Sequence, residues 1–297
     1  MTARVKGRLP ELAVGMLLGM TLSACSVTDA DEGSGSARFS VWGEEYIEQG
    51  MPATAFADGW SVSFSKFLIV VGEVSVADER AGEAGRLRGS QVFNLASVGP
   101  HLLGEMESLP ARTFNRVAYA VLSAGADTEP HASATQADLE LMQQGPYSVY
   151  VTGAATREDR AKTFAWGFSG STRYTQCVAE IAGRNVEGIA VTNGGTEAVE
   201  LTIHGDHLFY DDLASSEARP RFAAMADADA DLNDEVTLDE LTAVRLVSIA
   251  EGSYGTGSAS GVDDLGAFVL AQTKTLGHFR GEGHCVAEAT PLPAARQ

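Results

Sequence analysis

Short runs of β-branched and aromatic residues, separated by Gly, Pro and Asp, dominate the chain between residues 38 and 205. Residues 60–65 alternate apolar and small polar side chains, which is typical of a strand with one buried face. Residues 67–71 form a continuous apolar run, and five further runs resemble these two, at 91–95, 117–122, 147–151, 163–168 and 199–203. The pattern predicts an antiparallel β-sandwich over residues 38–205.

The periodicity becomes helical after residue 206. Leu265, Phe268, Val269 and Leu276 are spaced as on one face of a helix, and Gly277 follows as its stop signal. We therefore predict a mainly β protein with a C-terminal helical appendage over residues 206–290. Residues 291–297 form a loose tail in this prediction.

Residues 229–240 place oxygen-bearing residues at the spacing that a calcium ion requires. Positions 1, 3, 5, 7, 9 and 12 of this segment hold Asp229, Asp231, Asn233, Glu235, Thr237 and Glu240. The segment resembles the calcium loops of EF-hand and dockerin-type proteins. The resemblance implies a bound Ca²⁺ that takes the backbone carbonyl of Glu235, the hydroxyl or a bridging water of Thr237, and both carboxylate oxygens of Glu240.

The residue at position 12 decides where the calcium loop of this segment starts. A loop starting at Asp227 would place Leu238 at position 12, where the bidentate carboxylate must be, so the loop starts at Asp229. Position 6 is Asp234 instead of the family's Gly, and Asp enters the left-handed region at modest cost. Val236 at position 8 is expected to point inward. The competing interpretation is an acidic, solvated loop between two helices.

Four of the six histidines lie in two short motifs. His204, Asp206 and His207 follow the last predicted strand, and His278 and His284 lie shortly before Cys285. Imidazole and carboxylate groups are the ligands that Zn²⁺ and Cu²⁺ take. The spacing matches no established zinc motif, so a helix-capping or hydrogen-bonding role for each histidine stays open. His101 and His131 are expected to be isolated loop or surface residues.

The N-terminus has a cationic start followed by an apolar run over residues 12–22, too short to span a membrane. It ends in Leu22-Ser-Ala-Cys25, which resembles the lipobox of bacterial lipoproteins. The resemblance implies a signal peptide over residues 1–24, lipidation (palmitate) of Cys25 and an outer-membrane location. Residues 25–37 would then be a flexible tether. A signal peptide cut after small residues is the alternative, and it also gives export.

Cys177 and Cys285 remain once Cys25 is lipidated. Two cysteines in an exported chain favour a disulfide bond, which would close a loop of about a hundred residues.

The formal net charge of −19 disfavours contact with nucleic acid. Gly167-Phe-Ser169-Gly lacks the spacing of a nucleophile elbow, and no phosphate loop is found, so we predict that the protein is not an enzyme.

The leading hypothesis is a lipid-anchored calcium-binding protein of the cell envelope. Its sandwich would meet an envelope protein or glycan, and its calcium would be mainly structural. The alternative is a zinc or copper binding or delivery lipoprotein that uses the histidines. A turn at Leu109-Pro-Ala111 and a strand ending at His204 faintly resemble exported bacterial sandwich proteins that handle copper or other metals. That resemblance carries no residue role over to this chain.

Overall fold

The computed structural model describes residues 33–250 and 252–290, which form sixteen strands and five short α-helices. The strands are Ser34–Trp42 (β1), Ser61–Asp78 (β2), Gly82–Asn94 (β3), His101–Pro110 (β4), Thr113–Phe114 (β5), Arg116–Val121 (β6), Thr128–Pro130 (β7), Tyr147–Arg157 (β8), Arg160–Ser169 (β9), Ser171–Ile181 (β10), Arg184–Glu187 (β11), Ile189–Ala190 (β12), Thr196–Ile203 (β13), Glu235–Val236 (β14), Gly277–Phe279 (β15) and His284–Thr290 (β16). The helices are Glu44–Glu48 (α1), Gln136–Gln144 (α2), Ala223–Ala226 (α3), Leu238–Ala243 (α4) and Leu265–Gln272 (α5).

Most strands belong to two mixed sheets. The smaller sheet has the order β15-β13-β1-β4, with β1 parallel to β13 and antiparallel to β4. The main path of the larger sheet is β11-β10-β6-β2-β8-β9-β14, and β16 and β3 add to β10 and β2. The prediction of a mainly β fold is confirmed. The prediction of purely antiparallel sheets is wrong, because parallel pairs join strands far apart in the chain, where no local turn signal indicates their direction.

The two sheets enclose one core. The smaller sheet contributes Phe39, Val41 and Leu201, and the larger sheet contributes side chains such as Phe67 and Trp166, all with 0% exposure. In β9 the buried residues alternate with exposed ones, as the sequence pattern predicts for one buried face.

The continuous apolar run at residues 67–71 is buried on both faces of β2. Phe67, Ile69 and Val71 point into the main core, while Leu68 and Val70 pack into a second cluster with Met142 of α2. Helix α2 begins after Thr135 with a capping box to Asp138. A helix lying on the outer face of the sheet therefore explains why this strand lacks alternation.

Residues 206–290 do not form a separate helical appendage, which corrects that prediction. Strands β15 and β16 complete the two sheets, and β14 extends the edge of the larger one. Helix α5 ends at Gln272 and buries Phe268 and Val269. Gly277 then starts β15 where a Cβ atom would lie 2.5 Å from the Tyr119 hydroxyl, so only glycine allows this close approach.

The predicted disulfide bond joins Cys177 in β10 to Cys285 in β16. Strand β1 begins at Ser34, so residues 34–37, which the sequence assigns to the flexible tether, belong to a strand. The signal peptide, Cys25 and the tail at 291–297 lie outside the described residues. Within the described ranges, no helix combines the length and apolar character needed to cross a membrane.

Candidate metal centre

Three histidines from two distant parts of the chain meet at one end of the smaller sheet. His204 follows β13, and His207 lies in the 3₁₀ turn Gly205–Phe209. His278 is in β15, directly after Gly277, which pairs with Ile203. One ring nitrogen of each lies within 4.8 Å of one from each of the others. The rings of His204 and His278 stack with centroids 4.0 Å apart, and the His207 ring stands edge-on to His278 at 5.0 Å.

Hydrogen bonds fix the tautomer of His207. Its Nδ1 lies 2.9 Å from the Thr275 hydroxyl, which donates its own hydrogen to the backbone carbonyl of Gln272 at 2.9 Å. Because that hydroxyl has only one hydrogen, His207 Nδ1 must be the donor to Thr275. The lone pair of His207 is then on Nε2, which is the arrangement found in metal-binding histidines with a fixed outer nitrogen.

The other two histidines have ring nitrogens without a hydrogen bond. Nε2 of His204 and Nδ1 of His278 are buried and have no hydrogen-bond partner within the described part of the chain. Buried polar atoms are almost always paired, because an unpaired one costs about 1–3 kcal/mol. Two such nitrogens in one cluster of neighbouring rings are therefore a chemical signature of a ligand site.

Two stacked tyrosines hold the segment that carries His278. Tyr119 and Tyr174 are fully buried with ring centroids 4.8 Å apart. The Tyr119 hydroxyl donates to the carbonyl of His278 at 2.9 Å, and the Tyr174 hydroxyl donates to the carbonyl of Lys274 at 3.2 Å. The backbone of His278 is thus supported from the core, so its ring has a fixed position.

Two histidines of this cluster, His207 and His278, are held neutral. Burial lowers the pKa of His207 to about 3, and the neighbouring His278 and His204 add to the effect. Burial, followed by the charge of His204, lowers the pKa of His278 to about 4. Neutral imidazole is the form that binds metal ions, so no proton has to be displaced from these rings at neutral pH.

The other two predicted members of this site lie outside the cluster of three. Asp206 accepts a hydrogen bond from the Tyr210 hydroxyl at 2.8 Å, and burial raises its pKa. His284 is exposed on β16, and its charge is a minor cause of the lowered pKa of His278. Among the described residues, neither Asp206 nor His284 belongs to a group whose ligand atoms converge.

Glu44 lies next to the cluster, and the sequence pattern did not indicate it. Its Oε2 is 3.6 Å from Nε2 of His204, and Glu44, His204 and Glu282 form a second group with ligand atoms within 4.8 Å. Burial raises the pKa of Glu44 while His204 opposes the rise. No local motif marks Glu44, because the parallel pairing of β1 with β13 is what brings the end of β1 to His204.

Three carboxylates of the predicted calcium loop lie close together. The carboxylates of Asp229, Asp231 and Glu240 offer ligand atoms within 4.8 Å of one another. Asp234 has a φ of 65°, so an aspartate takes the left-handed conformation that the loop needs at position 6. Val236 is fully buried, as expected for position 8, and its carbonyl accepts a hydrogen bond from Trp166 Nε1 at 2.8 Å.

The remaining predicted loop ligands surround this group. The Asn233 side-chain oxygen accepts a hydrogen bond from the Glu235 amide at 2.7 Å, and Thr237 forms a capping box with Glu240 at the start of α4. The flanking helices are short, with four residues in α3 and six in α4. Beyond α4, Val247 lies in a 3₁₀ turn and is 91% exposed. Helix α4 ends at Ala243, and the backbone N–H of Leu246 then donates a hydrogen bond to the carbonyl of Asp263 instead of continuing the helix.

A lysine from the larger sheet reaches into the calcium loop. Lys162 Nζ lies 2.5 Å from Asp229 Oδ2 and 2.8 Å from Asp234 Oδ1. Its side chain is 10% exposed, and its ammonium group lowers the pKa of Asp229. The loop is therefore anchored to β9 by charge as well as by the parallel pairing of β14.

His101 and His131 are not isolated, which corrects the expectation from sequence. Their ring centroids are 5.4 Å apart, and His131 stacks on Phe93 at 4.6 Å. His131 Nδ1 is engaged with Ser133, and His101 Nε2 lies 3.1 Å from the Ser97 hydroxyl. These hydrogen bonds and the stacking indicate a structural role for the pair.

Comparisons with known proteins found no matching family model and no matching curated protein. Among solved structures, the fold has a distant likeness to MbnP from Methylosinus trichosporium, with a TM-score of 0.32 and 9% sequence identity. The match covers 59% of this chain and 77% of that one. A likeness this weak says nothing about the site.

Proposed function

We propose that this protein binds a transition metal ion, zinc or copper, through His204, His207 and His278. The observation that carries the proposal is the convergence of three imidazoles in which His204 Nε2 and His278 Nδ1 are buried and have no hydrogen-bond partner in the described residues. Three histidine nitrogens are a common protein ligand set for Zn²⁺ and also suit copper. The proposed role is binding or delivery of the metal.

Metal uptake by single-histidine variants tests this proposal. Chelator-treated protein is dialysed against Zn²⁺ or Cu²⁺, and the bound metal is measured by elemental mass spectrometry. We expect about one ion per wild-type chain and loss of that ion in His204→Ala and His278→Ala. His284→Ala is the matched control, because it removes an exposed histidine outside the cluster and should bind as wild type does. Wild-type uptake in His278→Ala would contradict the proposal.

A second candidate function is calcium binding at residues 229–240. The observation that favours it is the convergence of Asp229, Asp231 and Glu240 together with the left-handed Asp234. Calcium there would be structural, since it would tie α4 to a loop that is already paired with the edge of the larger sheet. Isothermal titration with Ca²⁺ tests it, and Glu240→Gln should remove binding because position 12 supplies the bidentate carboxylate.

We also propose that the protein is exported and anchored by lipidated Cys25. The disulfide between Cys177 and Cys285 supports export, because such bonds persist in oxidising compartments. Metabolic labelling with a radioactive fatty acid tests the anchor. Label that is retained in Cys25→Ser would contradict it.

A further inference from the structure

We propose that Glu44, Glu282 and His204 form a second cation position, here called the outer position, which binds a divalent ion and passes it to the three-histidine centre. This inference rests on the proposed function and adds a route of metal uptake to it. An ion at the centre would be bound by the three imidazoles and would contact neither carboxylate.

Two groups of possible ligand atoms overlap at His204. One group is the three-histidine centre, and the other is His204 with Glu44 and Glu282. In each group the ligand atoms lie within 4.8 Å of one another, and among the described residues His204 is the member that both groups share. A neutral imidazole has a single lone pair, so His204 can bind only one ion at a time. An ion at the outer position therefore reaches the centre by exchanging the two carboxylates for the other two imidazoles.

The nitrogen of His204 that faces the carboxylates is buried without a hydrogen-bond partner. His204 is 6% exposed, and its Nε2 is 3.6 Å from Glu44 Oε2, which is too long for a hydrogen bond. This nitrogen has no partner elsewhere in the described part of the chain. Buried polar atoms are almost always paired, so a cation between this nitrogen and the carboxylate would satisfy both atoms.

The two carboxylates of the outer position have no basic partner. Within residues 33–250 and 252–290, neither Glu44 nor Glu282 forms an ion pair with a lysine or an arginine. Arg280, in the same turn as Glu282, pairs with Glu197 instead. Two carboxylates at this separation repel each other, and a divalent cation between them removes the repulsion. Carboxylate oxygen with imidazole nitrogen suits Zn²⁺ and Cu²⁺.

The outer position is open to solvent, whereas ligand atoms of the centre are covered. The Glu282 side chain is exposed, and that of Glu44 is 27% exposed. At the centre, His204 Nε2 and His278 Nδ1 are both buried atoms. An ion from solvent can therefore bind the carboxylates before it meets the imidazoles.

A buried hydrogen bond keeps Glu282 beside His204. Glu282 lies in the turn between β15 and β16. The Thr202 hydroxyl donates to the carbonyl of Gly281, the residue before Glu282, at 2.8 Å. Thr202 has 0% exposure and precedes His204 by two residues. The turn is therefore fixed to the strand that leads to His204.

Helix α1 keeps Glu44 beside His204. Ile47 of this helix is fully buried and lies against Gly205, where a Cβ atom would approach Ile47 Cγ1 to 2.6 Å. Gly205 directly follows His204, so the start of α1 packs on the turn that carries the histidines. Both carboxylates are thus positioned by elements that contact the segment around His204.

The rate of Zn²⁺ uptake tests the outer position. Chelator-treated full chain is mixed with Zn²⁺ in a stopped-flow instrument, and free Zn²⁺ is followed with a chromophoric indicator. The variant that combines Glu44→Gln with Glu282→Gln should take up Zn²⁺ at least about tenfold more slowly than wild type, because charges that line a site raise on-rates by about 10- to 1000-fold. The control combines Glu45→Gln with Glu107→Gln, which removes two charges from exposed residues outside the group, and should stay within about threefold of wild type.

The final affinity separates the outer position from two further ligands of the centre. If the carboxylates act only during uptake, release of Zn²⁺ to a chelator slows together with uptake, and the dissociation constant changes less than about threefold. A variant that binds Zn²⁺ more weakly but as fast as wild type would overturn the proposal.

A chain without the centre shows the outer position directly. The variant that combines His207→Ala with His278→Ala keeps all three residues of the outer position. Its Cu²⁺ electron paramagnetic resonance spectrum should show coupling to one nitrogen, and this signal should disappear when Glu282→Gln is added. Absence of the signal in a chain with the circular dichroism of wild type would overturn the outer position.

The uptake rates also distinguish the outer position from the centre itself. If the Glu44→Gln and Glu282→Gln variant takes up Zn²⁺ as fast as its control does, the outer position is overturned and the three-histidine centre stands. A wild-type chain that takes up no Zn²⁺ and no Cu²⁺ would overturn the three-histidine centre, and the outer position with it.

Discussion

Acidification should destabilise the metal-free protein through His207. Burial holds its pKa at about 3 in the folded state, against an ordinary value of 6.5. Above pH 6.5 the residue is neutral in both states and contributes full stability. As the pH falls from 6.5 towards 3, His207 is protonated in the unfolded chain but stays neutral in the folded chain. The free energy of unfolding therefore decreases. Between pH 7 and pH 5 this amounts to about 2 kcal/mol from His207 alone.

Urea unfolding of chelator-treated protein at pH 7 and pH 5 measures this effect. Wild type should lose about 2 kcal/mol more between the two pH values than His207→Gln does, because Gln does not titrate. Gln keeps an amide donor that can reach Thr275, so the local hydrogen bond is retained. His284→Gln, which removes an exposed histidine, should lose as much as wild type. If His207→Gln and wild type agree within about 0.5 kcal/mol, the burial argument is refuted.

Three further predictions concern the calcium loop and the disulfide bond. Glu240→Gln should remove the rise in melting temperature that Ca²⁺ produces and leave Zn²⁺ uptake unchanged, as thermal scans with each ion would show. Lys162→Met should strengthen Ca²⁺ binding in a titration, because its ammonium group competes with the ion for Asp229, and unchanged or weaker binding would contradict this. Reduction of the Cys177–Cys285 bond, which spans 108 positions, should lower the free energy of unfolding by up to about 4.7 kcal/mol in urea, and no change would refute its stabilising role.

The strands could be predicted from the sequence because they bury side chains in a local pattern. Every run chosen for its apolar and β-branched residues overlaps a strand, and three of the seven extend one residue beyond it. Val236 is buried, as its position in the predicted calcium loop indicates. The doubly buried run at residues 67–71 is recognisable as a strand, although only the structure shows that α2 covers its outer face.

The parts that sequence could not supply depend on pairing between distant segments. Parallel contact of β1 with β13 has no hairpin or turn that marks it, so the mixed sheets and the position of Glu44 were not foreseeable. The histidine motifs include Asp206 and His284, whose ligand atoms do not converge with those of the three clustered histidines. The structure instead places His284 on the exposed side of β16.

The candidate metal centre combines two segments that are far apart in the chain. His204 and His207 follow the thirteenth strand, and His278 lies in the fifteenth. His278 comes near His204 and His207 only when β13 and β15 have paired, so an unfolded chain offers no complete site. Under the proposed function, a metal ion would therefore be acquired only in the compartment in which the smaller sheet closes. The metal that is bound would then depend on the compartment in which folding finishes. It would not depend on which metals are abundant where the polypeptide is made.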